Sequence, residues 1–178
     1  MCIIIDTNCL SDVFCADTKN HKRFKPVMDW IIGGIGKMVV GGTKYRDELI
    51  KNRKISSFVK TLNMRANKVI MIDDKKVDTW QKKIEERIPD PDFDDPHLPA
   101  MAIVGKCRLI CSGDTRSIKH VTRSDLYPNG IAVPRYYTSE RNKSLLCSEY
   151  ISDEYKPFKK CNKRTCVKLL AELPAKNG

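Results

Sequence analysis

The sequence predicts an α/β fold: a three-layer α/β/α sandwich with a central, mostly parallel sheet, and a basic C-terminal extension. Three observations predict it. Short apolar, often β-branched runs recur at Cys2-Ile3-Ile4-Ile5, Lys37-Met38-Val39-Val40, Val69-Ile70-Met71-Ile72 and Cys107-Arg108-Leu109-Ile110-Cys111. Such runs read as strands buried on both faces of a parallel sheet. The stretches between them carry apolar residues at helical spacing. From Thr138 onward the composition shifts, with nine Lys/Arg against five acids over 139–178, a net +4. The domain boundaries expected are 1–138 and 139–178, the second partly helical or flexible.

The first strand stops at Asp6. Thr7 and Asn8 are good helix N-cap types, and Cys9-Leu10-Ser11-Asp12-Val13-Phe14 continues at helical spacing. Asp6 therefore sits at the carboxyl end of a core strand, where ligands bind in open α/β sheets. The plainer alternative is that it only caps the helix. Residues 16–25 are polar and basic, and a second helix is predicted over 26–32, ended by Gly33-Gly34. Strand 37–40 closes at Gly41-Gly42. Thr43 then caps a helix through Ile50, on which Tyr45, Glu48 and Leu49 share a face. A carboxylate among apolar neighbours needs a partner or a metal, which singles out Glu48; Asp47 is expected in solvent.

Helix 55–67 turns Phe58, Val59 and Leu62 inward and Lys60, Arg65 and the following Lys68 outward. Strand 69–72 reads as buried and ends at Asp73-Asp74. Helix 75–88 carries Val77, Trp80 and Ile84 inward, so Trp80 reads as core rather than as a base-stacking platform. The loop Pro89-Asp90-Pro91-Asp92-Phe93-Asp94-Asp95-Pro96 leads into an apolar helix, 97–104. Pro96 and Pro99 fit only near its start. Asp94 or Asp95 thus falls at the helix N-terminus, where the dipole favours negative charge. His97 reads as a surface or capping histidine, with a hydrogen-bonding role at a site as the alternative. Strand 107–111 is followed by Ser112-Gly113-Asp114-Thr115, a second acid just past a strand. A short helix over 117–121, a turn at 127–130 and a last strand at 131–133 complete the domain. The order is β-α-α-β-α-α-β-α-α-β-α-β, which implies helices on both faces of a parallel sheet. In the extension, 165–173 reads as a helix with Val167, Leu170 and Leu173 on one stripe.

No apolar run approaches the about 18 residues of a membrane span. The N-terminus lacks a basic n-region, and Asp6 breaks its apolar run, so no signal peptide is expected and the expected location is cytoplasmic. Eight cysteines are expected to be reduced thiols. Cys2, Cys107 and Cys111 fit small core positions. Cys147, Cys161 and Cys166 make only a weak zinc pattern. The net charge of +11 suggests a polyanionic partner, nucleic acid first, against the alternative of a merely soluble basic surface.

Four acids stand out by position: Asp6, Glu48, Asp95 and Asp114. Parallel topology brings strand ends to one edge, so Asp6 and Asp114 can converge. Clustered carboxylates repel, so they share protons or take hard cations. An all-oxygen set favours Mg2+ or Mn2+. Two such ions about 4 Å apart hold the attacking water and the leaving oxygen of a phosphodiester.

The segments Ile3-Ile4-Ile5-Asp6-Thr7-Asn8, Tyr45-Arg46-Asp47-Glu48-Leu49, Asp94-Asp95-Pro96-His97-Leu98-Pro99-Ala100-Met101-Ala102 and Leu109-Ile110-Cys111-Ser112-Gly113-Asp114 together resemble the PIN-domain ribonucleases, a family that includes toxins of toxin–antitoxin pairs. They run in the family's order and cover roughly residues 1–137. The resemblance implies Mg2+- or Mn2+-dependent cleavage of single-stranded RNA, leaving 5′-phosphate and 3′-hydroxyl ends. Asp6, Glu48, Asp95 and Asp114 would be the catalytic carboxylates. Asp6, Asp95 and Asp114 would bind metal, and Glu48 would complete the site directly or through water. It further implies that Asn8 lines the site and that Ser112 orients Asp114. The offset to the Ala-x-Ala helix selects Asp95, with Asp94 in reserve. A protein antitoxin or inhibitor and a homodimer are the implied partners. Two departures stand against it: 115–119 lack the further acid that many relatives carry, and the extension has no counterpart. The alternatives are a nucleic-acid- or protein-binding module acting through its basic tail, and phosphoryl transfer of the receiver or phosphatase kind. Asp6-Thr7-Asn8 lacks the Asp-x-Asp form of the latter.

Overall fold

The computed structural model describes residues 2–147, 155 and 159–175. In chain order the regular elements are β1 (Cys2–Ile5), α1 (Leu10–Phe14), α2 (His21–Ile32), β2 (Lys37–Val40), α3 (Thr43–Lys51), α4 (Arg53–Ala66), β3 (Val69–Met71), α5 (Asp74–Arg87), α6 (His97–Val104), β4 (Leu109–Cys111), α7 (Ile118–Val121), β5 (Arg135–Tyr137) and α8 (Lys163–Ala171). Short 3-10 turns lie at Thr7–Cys9, Ser124–Leu126 and Glu140–Leu145. The five strands form one sheet in the order β3-β2-β1-β4-β5, every pair parallel. With helices packed about it, this is the three-layer α/β/α sandwich the sequence predicts.

β1 is the centre. Its four residues are fully buried, and Ile4 pairs with Val39 on one side and Ile110 on the other. The chain winds from β1 out to β3, then crosses back to lay β4 on the other flank. The direction of winding reverses between β1 and β4, and crevices open beside the carboxyl ends of strands at such a point. Asp6 and Asp114 follow those two strands.

Several local expectations change. α2 starts at His21, not at Pro26, which lies inside the helix. The missing proline N–H costs the Lys22 carbonyl its partner, but the stripe Phe24, Val27, Met28, Ile31 and Ile32 is buried and carries the helix through. Thr43 does not cap α3; it is the first helical residue. The cap is Gly42 at φ 85°, where an added Cβ would meet Val77 Cγ1 at 2.6 Å. The free N–H groups there are bonded by α5 instead: Gly42 N donates to Asp74 Oδ1 and Thr43 N to Asp78 Oδ1, both at 2.8 Å. β3 is an edge strand rather than a buried one, with Met71 49% exposed.

The last strand lies at Arg135–Tyr137, not at 131–133. Pro134 has no N–H to give, so the ladder begins just after it, with Arg135 N donating to Arg108 O at 2.8 Å. Lys68 is fully buried rather than outward. The helical period ends at Ala66, and Asn67 turns left-handed at φ 50°, which swings Lys68 beneath the sheet's amino edge. On α8 the inward residues are Cys166 and Leu169, against α2 and α4, with Leu173 packed just past the helix end. Val167 and Leu170 face solvent. Of the extension, residues 148–154, 156–158 and 176–178 lie outside the described residues, as do the charges expected on them. Among the described residues Cys147, Cys161 and Cys166 form no metal-ligand group, and no helix is long and apolar enough to cross a membrane.

Candidate metal centre

The site is built outward from β1. Ile5 O accepts a 2.7 Å hydrogen bond from the buried Tyr45 hydroxyl, which ties α3 to the strand's carboxyl end. Glu48, one turn further along α3, is thereby held over the same edge. Thr7 Oγ1 donates to Glu48 Oε2 at 2.6 Å. Asp6 is 1% exposed. Its Oδ1 accepts from Asn8 N at 3.0 Å and its Oδ2 from Ser112 Oγ at 2.8 Å. Asp6 therefore does cap the first turn, and it also reaches across to β4. Asn8 contributes its backbone to this; its side chain is exposed.

Ser112 is buried and bridges two acids, and its bond to Asp114 is made through the backbone. It donates to the Asp6 carboxylate and accepts from the backbone N of Asp114 at 3.0 Å, leaving the Asp114 carboxylate to Arg116. Asp114 Oδ1 accepts from Arg116 N and Nε at 2.9 and 3.1 Å, and Oδ2 from Arg116 Nη2 at 2.9 Å.

Asp94 and Asp95 enter from the loop before α6. Asp95 O receives Leu98 N at 3.1 Å, and Lys44 Nζ donates to Asp94 O. Asp94, Asp95 and Asp114 each offer a carboxylate oxygen, and these lie within 4.8 Å of one another. The structure thus gathers both loop acids, where the resemblance selects Asp95 and keeps Asp94 in reserve.

Burial pushes Asp6 up from its ordinary value against the pull of Ser112 and Asn8, and Glu48 and Asp114 add to the rise. Asp95 is pushed up to about 7, first by burial, then by Asp6 and Asp94, with Lys44 opposing. Arg116 holds Asp114 below the usual carboxylate range. Burial leads both upward shifts, and neighbouring acids add to them.

His97 departs most from expectation. It is 1% exposed, not a surface or capping residue. Its Nε2 lies 4.0 Å from Glu48 Oε2 and its Nδ1 4.0 Å from Asp95 Oδ1. Neither nitrogen has a hydrogen-bond partner, and burial holds the ring's pKa down at about 3. An orphaned polar ring among carboxylates is a costly arrangement that marks a place built for something else. The signal is present in the sequence: α6 is apolar all round and buried over His97–Ile103, so a polar residue on it has no wet face. Tyr136 is a second neighbour, with no sequence signal. Its hydroxyl lies 3.5 Å from Ser117 Oγ, and burial, then the site's acids, push it upward.

No protein-family model matches this chain, and no curated protein matches it.

Proposed function

We propose that this chain is a divalent-metal-dependent endoribonuclease acting on single-stranded RNA in the cytoplasm. The observation that carries the reading is the convergence of Asp94, Asp95 and Asp114 within 4.8 Å, beside buried Asp6, in a chain of net charge +11. An all-oxygen donor set fits a hard cation, and the rise that Asp6 and Asp94 add to Asp95, after burial, fits an edge that gains from a bound cation. Asp6, Asp95 and Asp114 would hold Mg2+ or Mn2+, with Asp94 adjacent and Glu48 completing the shell. When bound, the ion acidifies a water and offsets charge on the phosphate.

The rest is done by this chain's own groups. Ser112 and the Asn8 N–H fix the rotation of Asp6. Thr7 aims Glu48 across the crevice, and Tyr45 keeps α3 at that height. The basic surface holds the strand by its phosphates. A toxin or defence role, with a protein antitoxin as partner, belongs to the same proposal.

The test is cleavage of a labelled single-stranded RNA with Mn2+, with EDTA, and in Asp6→Asn, which removes one charge at nearly constant volume. Cutting should need Mn2+ and should fall by more than about a hundredfold in the variant. Full activity in Asp6→Asn with Mn2+ present would sink the assignment. One observation favours a second reading, a binding module with a weak centre: Arg116 occupies both oxygens of Asp114. That reading expects RNA binding indifferent to EDTA, mapped to the tail, and no cutting.

A further inference from the structure

We infer that the cleft between α5, from Trp80 to its C-terminus, and residues 125–129 is a stacking subsite that holds a nucleotide of single-stranded RNA outside the carboxylate centre. The inference rests on the RNA reading above and names where a distant part of that strand is gripped.

The cleft has a volume of about 600 Å³, and its lining includes Trp80, Lys83, Arg87, Leu126, Tyr127 and Asn129. Its floor is rigid: Ile84 and Leu126 are each 1% exposed, and the Tyr127 hydroxyl donates to Val121 O at 2.7 Å. Trp80 is half-buried against the core, so the ring is held in place while part of it remains outside. Lys83 Nζ lies 4.8 Å from its centroid. One ring face thus carries the Lys83 ammonium, which a stacking base would have to displace sideways. Arg87 Nη1 donates to Asp125 O at 2.6 Å, which fixes the guanidinium at the rim.

Two acids, Glu86 and Asp125, also line the cleft, and the second of them is paired. Asp125 takes Arg123 Nε and Nη2 at 3.1 and 2.8 Å. An immobilised indole with two cations beside it suits a flat aromatic ring that bears an anion. Aromatic platforms flanked by positive charge are how single strands are held without sequence preference.

Both walls of the cleft run on to the carboxylate centre. From Arg87 the chain continues through the loop to Asp94 and Asp95, and from Asp114 it continues through α7 to Asp125. The two segments meet between cleft and centre. Phe93 stacks on His120 with centroids 4.9 Å apart, and His120 Nε2 lies 3.4 Å from Asp90 Oδ2 without a hydrogen bond. The short chain path from Arg87 to Asp94 limits their separation to about 25 Å. A short run of nucleotides spans that.

The experiment is binding of a fluorescent single-stranded RNA decamer in EDTA, where no cutting competes. Trp80→Leu fills the apolar volume without a stacking face and should weaken binding roughly ten- to a hundredfold. Trp80→Phe should keep most of it. Lys83→Gln with Arg87→Gln should flatten the slope of log affinity against log salt by about 1.4, close to 0.7 for each phosphate that is no longer neutralised. Equal affinity in wild type, Trp80→Leu and Trp80→Phe overturns the subsite, as does an unchanged salt slope. AMP binding as tightly as the decamer overturns the RNA assignment in favour of a free nucleotide. Binding that depends on Trp80 without any Mn2+-dependent cutting keeps the subsite and removes the nuclease; normal cutting with no Trp80 dependence does the reverse.

Discussion

The two ends of the central strands bury charge in opposite ways. At the amino end, Lys68 is fully buried, and its ammonium donates to Gly34 O at 2.7 Å and Lys159 O at 3.3 Å. At the carboxyl end, Asp6 and Asp95 are buried among other acids, and both nitrogens of His97 have no partner. One end is closed: its cation clamps the turn after α2 to the segment before α8. The other end leaves His97 unsatisfied among carboxylates, although both oxygens of Asp6 are bonded. Departures from local satisfaction gather where a protein does something other than stay folded. Buried charge is a staple at one end, and at the other it fits the proposed metal centre.

The open end should differ most from the closed one in its response to pH. The native Asp95 carboxyl has a pKa of about 7, against about 3.9 in an unfolded chain. Folded protein therefore holds a proton that the unfolded chain releases. The stabilisation is fully present below about pH 4 and is lost as pH rises through about 7. Asp6 shifts the same way. Asp114 and Asp125 shift downward and act only below that window. In EDTA, wild type should lose on the order of a few kcal/mol between pH 4 and pH 8. Asp95→Asn should lose much less, and Mn2+ at pH 8 should restore the wild-type melting temperature. Denaturant melts across the range would show it, and a flat wild-type curve would mean the acid edge is already compensated.

What the sequence makes legible follows the same divide. The strands and their alternation with paired helices are readable, because full burial leaves continuous apolar runs. Asp6 and Asp114 are readable as positions because parallel strands end on one edge. The features that escape are those fixed by a partner elsewhere. Gly42 is capped by Asp74, which lies in another helix. Lys68 is turned inward by one left-handed residue, and β3 is half-exposed because, among the described residues, no strand pairs beyond it. The stripe on α8 is displaced by one residue from expectation, since Val167 and Leu170 fit a helical spacing as well as Cys166 and Leu169 do. For His97, the apolar character of the whole helix decides burial, and a histidine considered alone does not carry that information.

The closed end gives the next effect in size. Lys68→Met keeps the apolar stem and removes the ammonium, leaving the Gly34 and Lys159 carbonyls without their donor. A buried acceptor left unpaired costs on the order of 1–3 kcal/mol, so about 2 kcal/mol of stability should go. The loss should localise. Amides of α8 should exchange with solvent faster than those of β1 and β4, because Lys159 O sits just before α8. Uniform acceleration across the sheet would mean that Lys68 supports the whole core rather than stapling the extension.

A subtler change tests whether the open end is poised for a cation. Arg116 is 80% exposed along its side chain, and its guanidinium bonds both oxygens of Asp114. Exposed ion pairs contribute little, so the pair cannot be there to hold the fold. Under the proposed metal centre it would be a competitor: a divalent ion taking Asp114 would have to displace the guanidinium, which also feels Asp94 and Asp92. Arg116→Gln should therefore tighten Mn2+ binding, by roughly two- to fivefold given the weakness of such pairs, while the melting temperature stays put. Titration calorimetry in the absence of RNA reads the affinity directly. Weaker Mn2+ binding in Arg116→Gln would mean that the guanidinium orients Asp114 for the ion instead of competing with it, and the arginine would move from the charge that must leave to the support that holds the ligand in place.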